Sequence, residues 1–515
     1  MTIIGNNITI SLKDGKDIVK DFNFVLNDND KLALIGEEGN GKSSLIKFIY
    51  DNSLIDEYCF YSGSVNISKE EIGYIPQSIN SYYLDKTVEE YFLTEDGSFE
   101  INYEIYSKIY EIEKLLDKFK LDKSILINDI KVSSLSGGEK IKIQLIKILI
   151  NRPKLYLFDE PTNDLDIETL EWLEDFINKC SKPIIYISHD ETLLSNTANM
   201  ILHLEQIKNK SDCRHTIMKI DYDTYVENRI NSINKQTQVA RSEKREFKKK
   251  EDKLKQVMNI VHHKQNTISR SDPFGAAILK RKMKSLKVQE RRLNNKELTE
   301  MPDVEEGINF FFEDVFIPNT KVILDLKLDT LSINNKVLSN NINLNIIGNK
   351  KICIIGNNGC GKSTLIKEIY NLLKEREDIS VGYMPQNYDD ILDNYEYVLD
   401  FICDTKDKDT ITKVRMNLGN MKFTKEEMIG KIKDLSSGTK AKLILMKLVM
   451  NKYNVLILDE PTRNVSPLSN PIIRQVLKNY KGTIISVSHD RKYINEVVDD
   501  IYILNSNNLE YIKTD

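Results

Sequence analysis

The chain has 515 residues, 40% of them hydrophobic, enough to bury two cores of ordinary domain size, and contains no long uninterrupted apolar run that would cross a membrane. Its six cysteines show neither paired nor metal-ligand spacing, which excludes a disulfide scaffold or a zinc site as the basis of the fold. The net charge of −5 is uneven: residues 229–296 carry 20 Lys or Arg against 6 Asp or Glu, leaving −19 elsewhere, so a nucleic-acid partner would meet that basic segment first.

The opening MTIIGNNITI has no cleavable leader pattern, so a cytoplasmic protein is expected. Residues 8–26 alternate apolar and polar side chains, as an antiparallel sheet would. The apolar run KLALI then feeds GEEGNGKSS, in which Gly36, Gly39, Gly41, Lys42 and Ser43 satisfy the Gly-x4-Gly-Lys-Ser pattern. A buried strand leading into a glycine turn, whose N–H groups face phosphate at the start of a helix, is a site for ATP and magnesium. Asn40 and Ser44 complete that loop. YIPQ ends at Gln77, LSGGEK spans residues 135–140, and LYLFDE places Asp159 near magnesium, with Glu160 next to it to polarise the attacking water. YISHD puts His189 thirty residues after Asp159.

Residues 223–300 form a basic linker. RSEKREFKKKEDKLKQVMNIV sets Phe247, Leu254, Met258 and Val261 on one side, and AAILKRKMKSLKVQERRLNN does the same with Leu279, Met283, Leu286 and Leu293. These predict an antiparallel helical hairpin with arms of about 25 residues, roughly 35–40 Å each, without a sustained heptad. Its tip is expected over residues 262–275, where Pro273 and Gly275 break the helix.

The second set of elements repeats the first. Residues 307–346 alternate again, and KICII leads into GNNGCGKST with Gly356, Gly359, Cys360, Gly361, Lys362, Ser363 and Thr364. YMPQ ends at Gln386, LSSGTK spans 435–440, VLILDE supplies Asp459 and Glu460, and SVSHD places His489 thirty residues after Asp459. The stretch from P-loop lysine to signature is 20 residues longer in the first half, and the extra residues are assigned to a short acidic, tyrosine-rich arm within residues 78–119.

P-loop, glutamine, signature, Walker B and histidine, twice in that order with a charged linker between, resemble the ATP-binding-cassette family, and in particular its soluble F-type branch, the proteins that bind ribosomes. The resemblance implies an α/β fold of two tandem P-loop ATP-binding-cassette domains, residues 1–222 and 301–515, joined by the α-helical hairpin. It also implies head-to-tail pairing, with Lys42 facing Ser436, Ser437 and Gly438, and Lys362 facing Ser136, Gly137 and Gly138. Glu160 and Glu460 become the catalytic glutamates of an ATPase. Ser43 with Asp159, and Ser363 with Asp459, hold magnesium; Gln77 and Gln386 sense magnesium and water; His189 and His489 contact the γ-phosphate. An aromatic stacked on adenine is implied without a definite candidate.

In that resemblance the partners are the bacterial 70S ribosome, 23S rRNA and P-site tRNA, reached by a monomer through the exit-tRNA site, with Lys264, Arg270, Phe274, Lys280, Arg281 and Lys282 as linker contacts. The motif TRNVSPLSNP resembles the antibiotic-resistance members, which points to protection against lincosamides, pleuromutilins and streptogramins A. A housekeeping F-type factor that relieves stalled ribosomes, an efflux-transporter ATPase subunit and a DNA-associated clamp are the rival readings. Two departures predict unequal sites. Ser437 brings a Cβ where the family has glycine and is expected to crowd phosphate, and residues 461–471 lack the acid aligned with Asp164.

Overall fold

The computed structural model describes residues 2–94, 103–162, 165–207, 212–268, 273–294, 299, 315, 317–333, 336–403, 407–421, 423–463 and 465–512. The chain divides into two compact units, residues 1–222 with 306–515, and residues 223–305. Both cassettes fall in the first unit and the linker in the second.

Each cassette is built on a six-stranded sheet. In the first, the strands run in the order Ile72–Ile75, Leu155–Asp159, Ile184–Ile187, Lys31–Ile35, Met200–Ile207, Asp212–Met218, parallel except for the last. The second repeats it as Val381–Met384, Val455–Asp459, Thr483–Val487, Lys351–Ile355, Asp500–Leu504, Leu509–Ile512. Strands covered on both faces read as continuous apolar runs, and Lys31–Ile35 is buried at every position. Lys31 is tolerated there because its ammonium donates to the carbonyls of Cys180 at 2.6 Å and Lys182 at 2.8 Å.

The alternating segments form antiparallel sheets that close each core. In the first half three strands pair in the order Asp17–Leu26, Ile3–Leu12, Cys59–Val65, whereas the second half has Val322–Ile333 paired with Lys336–Ile347. This corrects the placement of the extra residues in the first half. Lys42 to Gln77 spans 35 positions against 24 from Lys362 to Gln386, so more than half of the surplus precedes the glutamine and contains the third strand. The rest lies between the bridges Thr87 to Lys131 and Tyr397 to Lys431, which close equivalent helical segments. Within the arm expected over 78–119, residues 95–102 lie outside the described residues; Ser81–Leu84, Val88–Leu93 and Ile109–Lys118 are helices.

The linker unit contains one helix of 46 residues, Tyr222–Thr267, and one of 22, Pro273–Asn294. At about 1.5 Å per residue these are roughly 69 and 33 Å long, so the first arm is nearly twice the expected length. The tip is shorter than residues 262–275: His262, His263 and Lys264 are helical, and Pro273 opens the second helix, where its missing N–H costs nothing. Val261 and Leu286 are buried, and the less exposed positions recur at alternating spacings of three and four residues (247, 251, 254, 258, 261, and 279, 283, 286, 290). That is a heptad-like seam, contrary to the sequence reading. Among the described residues no helix is long and apolar enough to cross a membrane.

Candidate nucleotide sites

Each P-loop leaves its central strand through glycines with positive φ. Gly36 has φ 145°, and a Cβ there would strike the Leu204 carbonyl oxygen; Gly41, at φ 87°, caps the helix Lys42–Tyr50 from the left-handed region. Gly356 and Gly361 repeat this at φ 153° and 100°, ahead of Lys362–Lys374. Gly39 and Gly359 face open space. The lysines arch over their own loops: Lys42 Nζ donates to the carbonyls of Gly36 at 2.8 Å and Glu37 at 2.9 Å, and Lys362 Nζ to those of Gly356 at 2.7 Å and Asn357 at 3.0 Å. Asn40 anchors its loop by donating to the Leu204 carbonyl at 2.9 Å.

The acids sit at the ends of the Walker B strands. Ser43 Oγ donates to Asp159 Oδ1 at 2.9 Å, and burial pushes the Asp159 carboxyl up to about 6. Asp459 is buried with Oδ1 lacking a protein partner, and burial likewise raises its carboxyl. Glu160 and Glu460 have φ 53° and 54°, a left-handed backbone that glutamate rarely adopts, repeated at the matching position of both halves. Gln77 Nε2 donates to Glu160 Oε2 at 2.8 Å, and His189 Nε2 lies 3.4 Å from Oε1. The Glu460 carboxylate accepts from the His489 backbone N–H at 3.3 Å, and the His489 ring lies 3.9 Å away. Burial, and then the Asp459 charge, pushes Glu460 up to about 8; burial and then Lys362 hold the His489 imidazole down to about 4.

The halves meet head to tail. A cavity of about 770 Å³ is lined on one side by Gly359, Gly361, Lys362, Ser363, Thr364, Gln386, Asp459, Glu460 and His489, and on the other by Ser136, Gly137 and Glu139. Cys360 lines a neighbouring cleft with Leu338 and Asn505. Among the described residues, the antiparallel-sheet side chains at the cavity are Ile333 and Leu338, both aliphatic. Across the other junction, the Gly438 N–H donates to the Glu38 carboxylate beside Lys42. His189 Nδ1 lies 2.9 Å from the Val465 carbonyl of the opposite half.

The signature helices differ at their starts. Ser136 and Glu139 form a reciprocal capping box for Gly137–Ile150, while at Ser437–Met450 Ser436 accepts from the Thr439 N–H and Thr439 has no carboxylate to return the bond. Ser437, expected to crowd phosphate, is an exposed first-turn residue that lines a cleft with Gln386, Asp389 and Arg463. Asp164 lies outside the described residues. Asp166 caps Ile167–Lys179 through the Thr169 N–H at 2.9 Å; burial opposes its charge, but hydrogen bonds from Thr169 and the Asn358 backbone hold its carboxyl low.

Sequence reasoning missed Glu37. Ser466 Oγ and Ser469 Oγ donate to its Oε1 at 2.6 and 2.8 Å, and Lys442 Nζ to Oε2 at 2.9 Å, all from the opposite cassette. Burial opposes its charge, but Lys442 and the two serines prevail and hold the carboxyl at about 2. The available signal was the pair of acids in GEEGNGKSS where the second P-loop has two asparagines. In the linker, Lys264 is on the first helix and Lys280, Arg281 and Lys282 are exposed on the second; Phe274 is 78% exposed and Arg270 lies outside the described residues.

Glycine cradles, lysines arched over them, a partnerless buried Asp459 oxygen and a signature helix closing each loop from the opposite half together define a tandem P-loop ATPase, and this donor set fits ATP with magnesium. The family model described as "ABC transporter" matches residues 19–163 and 339–463, and the chain belongs to that family. It is an ATPase that uses ATP with Mg2+. Over nearly its whole length it is similar to the ATP-binding protein Uup of Buchnera aphidicola subsp. Acyrthosiphon pisum (strain APS), 28% identical over 95% of this chain and 78% of that protein. The ABC transporter F family member 5 of Arabidopsis thaliana is also 28% identical, over 96% of this chain and 74% of that protein. Among solved structures, the archaeal ribosome recycling factor aABCE1, in complex with the ribosomal stalk protein aP1, has the same fold, with a TM-score of 0.55 at 16% identity over 94% of this chain and 86% of that one.

Proposed function

We propose that the protein is a cytoplasmic, monomeric, ribosome-binding ATPase that enters the exit-tRNA site of the bacterial 70S ribosome and carries its linker toward 23S rRNA and the P-site tRNA. The observation that carries this reading is a basic helical hairpin, with an exposed Phe274 and three successive exposed cations at Lys280, Arg281 and Lys282, placed in sequence between two cassettes whose ATP sites each need both halves. F-type similarity over most of the chain supports it.

In this mechanism Lys42 and Lys362 bind phosphate, and the signature starts at Ser436 and Ser136 close each nucleotide from the other half. Ser43 with Asp159, and Ser363 with Asp459, alongside Gln77 and Gln386, would hold magnesium, which would offset the phosphate charge. Glu160 and Glu460 orient the attacking water, and Glu460 would accept its proton once a cation at Asp459 offsets the charge that helps raise its carboxyl; Gln77 and His189 position Glu160, and the His489 backbone N–H positions Glu460. Closure favours the bound state and hydrolysis releases it, so ATP sets residence time.

The finer reading is counteraction of lincosamides, pleuromutilins and streptogramins A, supported by residues 462–471. The housekeeping reading is equally consistent with the similarity to Uup and the plant F-type protein. Replacing Glu160 and Glu460 with Gln should trap the protein on ribosomes in ATP, and its recovery solely as free protein after sedimentation would refute the clamp. Drug protection in a sensitive bacterial host, lost in Asp459→Asn, assigns resistance; ribosome binding without protection assigns the housekeeping role.

A further inference from the structure

The two P-loops present different chemistry to the signature helix they face. Asn357 and Asn358 in the second correspond to Glu37 and Glu38 in the first. The helix Ser437–Met450 has 14 residues, and its first-turn N–H groups form an anion site; the Gly438 N–H there is bonded to the Glu38 carboxylate. Glu37 fixes the same loop to the same opposite cassette through Ser466, Ser469 and Lys442. Two adjacent carboxylates of the first P-loop thus engage the opposite cassette, whereas the second P-loop meets its signature helix with asparagines across an open cavity.

We propose that Glu38 is a chain-borne competitor for the terminal phosphate of ATP at the site built on Lys42, and that Glu37 holds it in place, so that this site takes nucleotide more weakly than the site built on Lys362. A nucleotide cradled by the first P-loop and closed by this helix must draw on the N–H that Glu38 holds, and it adds negative charge beside two acids. At the Lys362 site the P-loop carries Asn357 and Asn358 in place of both acids; the acids there, Glu139 and Asp166, belong to the facing cassette and are bonded to its own Ser136 and Thr169, and the Asn358 backbone N–H is drawn to Asp166. Unequal occupancy then follows from the P-loop itself. The inference rests on the ATP-clamp part of the proposed function and not on the ribosome.

Calorimetric titration of the full chain with AMP-PNP and Mg2+, without ribosomes, reads both sites. The wild type should show two classes differing at least tenfold in affinity, about 1.4 kcal/mol. Glu38→Asn, which installs the residue found at position 358, should bring the weak class to within threefold of the strong one and leave the strong class unchanged. Lys362→Ala should abolish the strong class and leave the weak one, and Glu38→Gln provides a second neutral variant should Glu38→Asn fail to fold. Two equivalent sites in the wild type, or a weak class that neither neutral variant tightens, would overturn the proposal without touching the sedimentation test of ribosome binding.

Discussion

Arg474 of the second cassette reaches into the first, where Nη1 and Nη2 donate to Glu191 Oε1 and Oε2 at 2.5 and 3.1 Å, and Arg474 and Glu191 are 3% and 5% exposed. Removing one partner of such a buried pair costs about 3–5 kcal/mol, because the other charge is left without compensation. Lys492 Nζ, 3.4 Å from Glu191 Oε2 and 30% exposed, offsets part of this. For Arg474→Met we therefore expect a loss of roughly 2–3 kcal/mol, read as a fall in thermal midpoint of about 2–3 °C for a unit that contains both cassettes. The double variant Arg474→Met with Glu191→Met should recover to within about 1 kcal/mol of wild type, since both desolvation penalties disappear. The deficit should also depend on pH. Burial already raises the Glu191 carboxyl above its ordinary value despite Arg474, and the single variant raises it further. A raised folded-state value gives stability that is fully present below the unfolded value and lost as pH rises through the folded one, so the deficit should widen from pH 5 to pH 8. A single variant that melts with wild type at pH 8, or a double variant as unstable as the single, would refute this joint between the halves.

Two further outcomes test the site and the linker. Ser437→Gly should change nucleotide affinity less than twofold, because the Ser437 side chain is exposed on the cleft it shares with Asp389 and Lys440; a tenfold gain in calorimetry would move the source of asymmetry to the signature. Neutralising Lys280, Arg281 and Lys282 to Gln should weaken ribosome binding most at low salt and make the dependence of log K on log salt shallower by up to about 3; an unchanged slope in sedimentation binding would remove these cations from the interface.

The chemistry-bearing motifs were legible because each is local: strand, glycine turn and helix start are consecutive in sequence, and the Walker B acids lie at the end of an apolar run. What was not legible depends on long-range pairing. The strand Cys59–Val65 reads as polar and is largely exposed, and it is recognised only by its pairing with Ile3–Leu12. The linker seam was read too short because Thr237, Glu243 and Glu251 occupy less exposed positions interleaved with Ala240, Phe247 and Leu254, which dilutes the apolar period. Glu37 escaped notice because its partners, Lys442, Ser466 and Ser469, are more than 400 positions away.

The contrast between Asp166 and Ser466 at matching positions decides which cassettes can face each other. Glu37 meets Ser466 across the joint, and Asp166 meets Asn358. Two first cassettes drawn from separate molecules would set Glu37 against Asp166, acid against acid. Lys142 stands where the second half has Lys442, but the hydroxyl donor at position 466 is replaced by a carboxylate. The joint thus discriminates against self-pairing of the first half, and the duplicated halves have diverged into a matched pair that covalent linkage keeps together in equal number.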